Sequence, residues 1–237
     1  MAEQTTPQSA PRRSGGLVST LTIELHSHYA IRLWEGRDRS DEKRNPDKRP
    51  KIPGMPEAIQ RAGYAGRDAA AGNPFGEQML VNLEEAIQHA TANVEKQVKK
   101  LGKFTAAVPP GVTISEVTSS EPLNLDVFSR SPLGYRCVWL LVHYDQLALK
   151  AFQAFHYGLI SRSQRDDFLE KGSKAIRVVY GLIKNYRTVP VTYEDITNKT
   201  ARGLDAIKRL GQPDPDVMSG KKRSSFSPLT AVTSEDD

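Results

Sequence analysis

His26 and His28, either side of Ser27, are the pair of residues in this chain whose spacing could begin a metal site. Two imidazoles at i and i+2 on a strand project to the same side, a geometry that supports metal in some hydrolases. A site needs a third and a fourth ligand. The candidates, His89, His143, His156 and the Asp166/Asp167 pair, stand in no ligand pattern such as H-E-x-x-H. If the chain has already turned helical at His28, the two rings no longer share a face, so no metal and no other cofactor is expected. Cys137 lies in the most apolar stretch without a histidine beside it and reads as a buried small hydrophobe rather than a nucleophile. Asp166 and Asp167 follow Arg165 early in a helix, where carboxylates interact well with the backbone dipoles and need no acid-base role. The sequence contains no G-x-x-x-x-G-K-[ST], no G-x-G-x-x-G and no G-x-S-x-G. It reads as a protein without catalytic machinery.

The elements around these residues define a mainly helical α+β fold with a small sheet. From Leu17 to Leu25 the odd positions Leu17, Leu21, Ile23 and Leu25 alternate with the polar Thr20, Thr22 and Glu24, the pattern of a half-buried strand. Ser27 then caps a short helix with Tyr29, Ala30, Leu33 and Trp34 on one face, and Gly36 is placed to end it. Alternation through Tyr29, Ile31 and Leu33 leaves a longer strand as the alternative. Residues 37–76 carry dense mixed charge with Pro46, Pro50 and Pro53 and then several glycines. They read as a linker with at most a short helix from Ala58 to Arg67. From Glu77 to Gly102 a helix is expected on Leu80, Leu83, Ile87, Val94, Val98 and Leu101. Val112 to Glu116 and Leu123 to Val127 read as two strands that pair with the first one. Ser131 and Pro132 open the most apolar helix, running to about Tyr157, with Trp139 expected in the core beside Tyr135 and Val142. Ser161 or Ser163 caps the next, to about Tyr186. Thr192 with Asp195 resembles a capping box for a last helix running to Gly211.

The organisation expected is a polar, disordered arm over residues 1–16, one core domain over 17–211 and a disordered tail over 212–237. The chain has 237 residues, 33 basic against 28 acidic, a net charge of +5 and 38% hydrophobic residues, and no internal repeat. A sequence pI of about 9.2 shifts the balance modestly toward an anionic partner. A single cysteine excludes an intramolecular disulfide. The N-terminus has no apolar core segment, and no run approaches the roughly 20 apolar residues of a membrane span. A cytoplasmic bacterial protein with no membrane contact is expected.

The runs GGLVSTLTIELHSHYAIRLWEGR, PPGVTISE, SPLGYRCVWLLVHYDQLAL and KKRSSFSP, in that order from about Ser14 to Pro228, resemble a family of proteins encoded on integrating conjugative elements and related plasmids. The wider superfamily includes AcaB-like transcriptional activators of conjugation genes, whose fold is similar to the ribbon-helix-helix DNA-binding class. The resemblance therefore implies an accessory protein of a conjugative element, with a DNA-binding regulator of transfer genes as its leading form and a protein-binding accessory of transfer or maintenance as the alternative. In a ribbon-helix-helix arrangement, paired N-terminal strands of a homodimer enter the major groove and read bases with outward side chains. Here those are Thr20, Thr22 and Glu24, with His26 next in line. Arg32, Arg37 and Arg39 would hold phosphates of promoter DNA, and Arg12 and Arg13 would reach the backbone from the arm. Glu24 counts against this reading, since it repels phosphate unless it accepts from a cytosine. So does the charged segment after Gly36, which stands where a compact unit would place its second helix. An internal strand with its polar face in water is the alternative reading of the same residues.

Overall fold

Leu21–Leu25 forms the first strand, β1, with Ile23 and Leu25 turned inward and Thr22 and Glu24 outward. The computed structural model describes residues 20–37 and 52–228. The expected arm at 1–16 with Arg12 and Arg13, the start of the strand at Leu17, Arg39 and the tail end at 229–237 lie outside the described residues. Helix α1, His28–Glu35, follows β1 directly, so the chain takes the strand-then-helix course. Ser27 accepts a hydrogen bond from the Ala30 N–H, and Gly36 ends the helix at a φ of 71°, a left-handed conformation that costs glycine little.

The segment read as a linker contains a full helix, α2, Met55–Ala70, with Met55, Ala58, Ile59, Ala62, Ala65 and Ala69 buried. Its inward face is mostly alanine, too weakly hydrophobic to register as a periodic signal, and Pro56 sits in the first turn, where its missing N–H does no harm. A tight turn leads to α3, Pro74–Thr105, which begins a turn earlier than Glu77. Asn73 caps it, accepting from the N–H groups of Phe75 and Gly76. A Cβ on Gly76 would lie 2.6 Å from the Ala69 backbone nitrogen, so the close approach of α2 and α3 depends on that glycine.

Only one of the two expected partner strands forms among the described residues. Leu123–Val127, β2, pairs antiparallel with β1 in the register Leu21↔Val127, Ile23↔Leu125, Leu25↔Leu123. Val112 to Glu116 runs without strand pairing, held in part by the Gln153 side-chain amide, which donates to the Ser115 carbonyl at 2.7 Å.

The core is built by α3 against α2, α4 (Pro132–His156) and α5 (Arg162–Lys184), with β1 laid on α4. Leu80, Leu83, Ile87, Leu133, Leu140, Leu141, Leu147, Ile176 and Val179 are almost wholly buried, each removal from water contributing roughly 1.5–3 kcal/mol. Trp139 is not among them. It is 52% exposed, because α4 is buried on most of its circumference and its remaining strip, Trp139, His143, Gln146 and Lys150, is the solvent face. That strip is polar in three of its four positions, and the tryptophan sits at its head. Cys137, in the same helix, is fully buried.

Ser161 and Gln164 form a reciprocal capping box at the start of α5. Thr192 and Asp195 do the same for α6, Tyr193–Thr197. The expected single helix to Gly211 breaks after that short element: Lys199 takes a φ of 50° and Thr200 caps a separate helix, α7, Ala201–Leu210. From residue 212 to residue 228 the chain is not a free tail. Helix α8, Pro215–Met218, is followed by Ser224, whose N–H donates to the buried Glu77 carboxylate at 3.1 Å and whose hydroxyl donates to Glu84 at 2.7 Å. Two acidic residues in the first half of α3 thus hold the C-terminal segment by its backbone and serines.

Candidate nucleic-acid interface

The junction between β1 and α1 is fixed from across the molecule. Asp145, on α4 and fully buried, accepts from the backbone N–H of His26 and of Ser27, each at 2.8 Å. Backbone N–H groups leaving a strand for a helix lack ladder and helix partners alike, and one carboxylate supplies both. The next anchor is Tyr180 of α5, whose hydroxyl donates to the Leu33 carbonyl at 2.9 Å. The N-terminal strand and helix are therefore set rigidly on α4 and α5, which orients whatever β1 presents to solvent. Asp145 was invisible as a positioning residue in sequence, where it reads as a polar break after an apolar run.

What the ribbon presents is hydrophilic and acidic. Thr22 and Glu24 stand opposite Asp126 and Asn124 on β2, all four exposed. The Thr22 hydroxyl donates to Asp126 Oδ1 at 2.8 Å. Thr20, immediately before β1, is exposed. Such a face offers hydrogen-bond acceptors, a hydroxyl and an amide to a partner, and repels phosphate. β1 has β2 on one ladder edge only, so its other edge has no strand partner among the described residues.

Of the cations expected to hold phosphates, Arg32 lies exposed on α1, one turn before the end of that helix. Arg37 exchanges backbone hydrogen bonds with Ile52 at 2.8 and 3.1 Å, which ties the end of α1 to the start of the segment leading into α2. The structure does not bring the histidines together as a ligand pair. His26 is half-buried, its Nδ1 accepting from the Ser119 N–H at 3.2 Å and its Nε2 3.7 Å from Glu24, while His28 is exposed in the first turn of α1. No group of three or more potential metal ligands occurs among the described residues, and no helix there is long and apolar enough to cross a membrane.

The ribbon also borders a groove of about 950 Å³ between α2 and the β2–α4 connection, lined by Trp34, Ile59, Tyr64, Val127, Phe128 and Phe226, with Arg67 and Arg130 at its polar margin. Phe128 is 76% exposed beside it.

A model of a family described as the transcriptional regulator AcaB matches residues 13–230. Among solved structures, the chain is similar to the crystal structure of selenomethionine-containing AcaB from uropathogenic E. coli. The TM-score is 0.52 at 12% sequence identity, and the match covers 86% of this chain and 95% of that one. At that identity the likeness is one of fold. No curated protein matches the chain.

Proposed function

Since the chain belongs to the AcaB family of transcriptional regulators, we propose that it is a DNA-binding regulator of the transfer genes of an integrating conjugative element, acting in the cytoplasm as a homodimer without catalysis or cofactor. The observation that carries this reading is the extent of the family match, residues 13–230, which takes in the N-terminal strand, the helical core and the packed C-terminal segment together.

The ribbon supports it in shape. A two-stranded antiparallel ribbon suits the major groove, and here β1 and β2 of one chain form it, in place of the ribbon of two copies' N-terminal strands that the ribbon-helix-helix arrangement implied. On this reading Thr20 and Thr22 touch base edges or a thymine methyl, Thr22 exchanging its bond to Asp126, and Glu24 accepts from a cytosine amino group. Arg32 takes a phosphate, with Arg37, Arg39, Arg12 and Arg13 as further backbone contacts. Changing Thr20 and Thr22 together to alanine should leave folding intact and weaken promoter binding by about 1–3 kcal/mol for each base edge that a threonine reads. A double variant that binds promoter DNA as tightly as the wild type removes the ribbon as the reading surface.

The groove beside Phe128 favours a second reading, a protein-binding accessory of transfer or element maintenance, because an exposed apolar surface of that kind marks interaction sites. Absence of salt-sensitive DNA binding by the wild type would leave that reading in place of the first.

A further inference from the structure

From Lys96 to Lys103 the sequence reads KQVKKLGK, with positive charges at Lys96, Lys99, Lys100 and Lys103 and no acidic residue between them. On α3 these positions are i, i+3, i+4 and i+7, one face of the helix extending about 10 Å. All four lysines are exposed, and none forms an ion pair or hydrogen bond through its side chain among the described residues. Two carboxylates could have neutralised them. Glu95, four residues before Lys99, makes no pair with it, and Asp167, across the shallow cleft where α3 meets the start of α5, is held by Lys171.

An ordinary structural role does not account for the arrangement. A lysine in the last turn of a helix interacts favourably with the backbone dipoles, and Lys103 is so placed. Lys96 lies more than two turns from Thr105, beyond the reach of that effect. The pairs 96/99, 96/100, 99/103 and 100/103 are all repulsive at helical spacing, so the face is destabilised by its own charges until an anion neutralises them. Phosphates of each strand of a duplex advance about 3.4 Å per nucleotide along the helix axis, so a face of about 10 Å laid along that axis spans about three of them.

We propose that this face of α3 holds the phosphate backbone of double-stranded DNA, an inference that rests on the regulator reading. It gives phosphate neutralisation to a surface where four lysines outnumber the bordering Glu95 and Asp167, the latter already paired with Lys171, whereas the ribbon's outward face carries Glu24 and Asp126. Lysine ammonium groups act there as point charges, adding affinity and salt dependence but no sequence preference.

The test compares three proteins by fluorescence anisotropy on a promoter duplex from the element and on an unrelated duplex, at several salt concentrations. They are the wild type, a variant with Lys96, Lys99, Lys100 and Lys103 changed to glutamine, and a control of equal net charge with Lys150, Lys174, Lys199 and Lys208 changed to glutamine. The α3 variant should show a log K against log salt slope shallower by about 3 to 4. Between about 50 and about 200 mM salt the wild type should therefore lose about 100-fold more affinity than this variant, with the promoter preference unchanged. The control should keep a slope within about 1 of the wild type. Because the substituted side chains are exposed and four repulsive pairs are relieved, the melting temperature should hold or rise slightly, and a Lys96/Lys100 double variant should show about half the slope change. An α3 variant with the wild-type slope, or a control that loses as much, overturns the assignment while the regulator reading stands. A wild type that binds neither duplex at low salt overturns both.

Discussion

Asp145→Ala takes away the one side chain that satisfies two adjacent backbone donors at the β1–α1 junction. The Ser27 N–H is buried and the His26 N–H half-buried, and both donate to the carboxylate at 2.8 Å. A hydrogen bond to a charged group contributes about 1.5–3 kcal/mol, and a buried donor left without a partner costs about 1–3 kcal/mol. Water can reach the His26 side more easily than the Ser27 side, so the loss should lie near about 3–5 kcal/mol, a large part of an ordinary domain's stability of about 5–15 kcal/mol. Asp145→Asn keeps one acceptor oxygen and turns an N–H2 toward the other donor, and should lose about 2–3 kcal/mol. Urea unfolding followed by far-ultraviolet circular dichroism measures both, and hydrogen exchange at Ser27 reports the junction directly. The alanine variant should also lose protection at Ser27 before the α3–α4 core opens. An alanine variant within about 1 kcal/mol of the wild type, with Ser27 still protected, would refute the claim that Asp145 sets the strand and helix in place.

Other outcomes follow from burial. Trp139→Ala should cost less than about 1 kcal/mol, well below the roughly 3–5 kcal/mol of an emptied core aromatic site, because the side chain is half in solvent; Leu25→Ala, at a fully buried position, should cost about 2–5 kcal/mol in the same chemical denaturation. Burial pushes the Cys137 thiol up to about 12, so a thiol reagent at mild alkaline pH should modify it at the rate of unfolding, and rapid stoichiometric labelling of the native protein would contradict its placement. Burial likewise pushes the Tyr144 hydroxyl up to about 12. Both groups are neutral when protonated, so the folded chain holds protons that the unfolded chain releases from about pH 9 upward. Stability should be full below that and fall as the pH rises toward 12, which thermal melts across that range will show.

The parts of the fold legible in sequence were those with strong local chemistry. The alternation into Leu25, the Ser27 cap, the Gly36 stop, the Ser161 cap and the Thr192–Asp195 box are each written within a few residues, and each appears in the structure. What local pattern hides is tertiary choice. An alanine face carries α2 into the core because α3 comes close enough at Gly76 to cover it. Trp139 is apolar in type, yet it shares its helix face with His143, Gln146 and Lys150 and follows them to the surface. Val112 to Glu116 has strand-like residues, yet it pairs with neither β1 nor β2, and its Ser115 carbonyl accepts from the Gln153 side chain instead. Residues 212–228 look like a tail until Glu77 and Glu84 are seen to hold Ser224. At the candidate interface, Thr20, Thr22 and Glu24 were nameable from alternation alone. Their opposite numbers Asn124 and Asp126, and the control exerted by Asp145, follow from pairings more than 90 residues apart in the chain.

The proposal that the chain is a DNA-binding regulator meets its most direct test in the ratio of two affinities for the wild-type protein, measured at one near-physiological salt concentration: that for a duplex from a transfer-gene promoter of the element, and that for the same duplex with its sequence scrambled. A specific regulator should bind the promoter at least about 1,000-fold more tightly, and both affinities should fall steeply as salt is raised. Equal affinities for the two duplexes, or no binding to either, would contradict it.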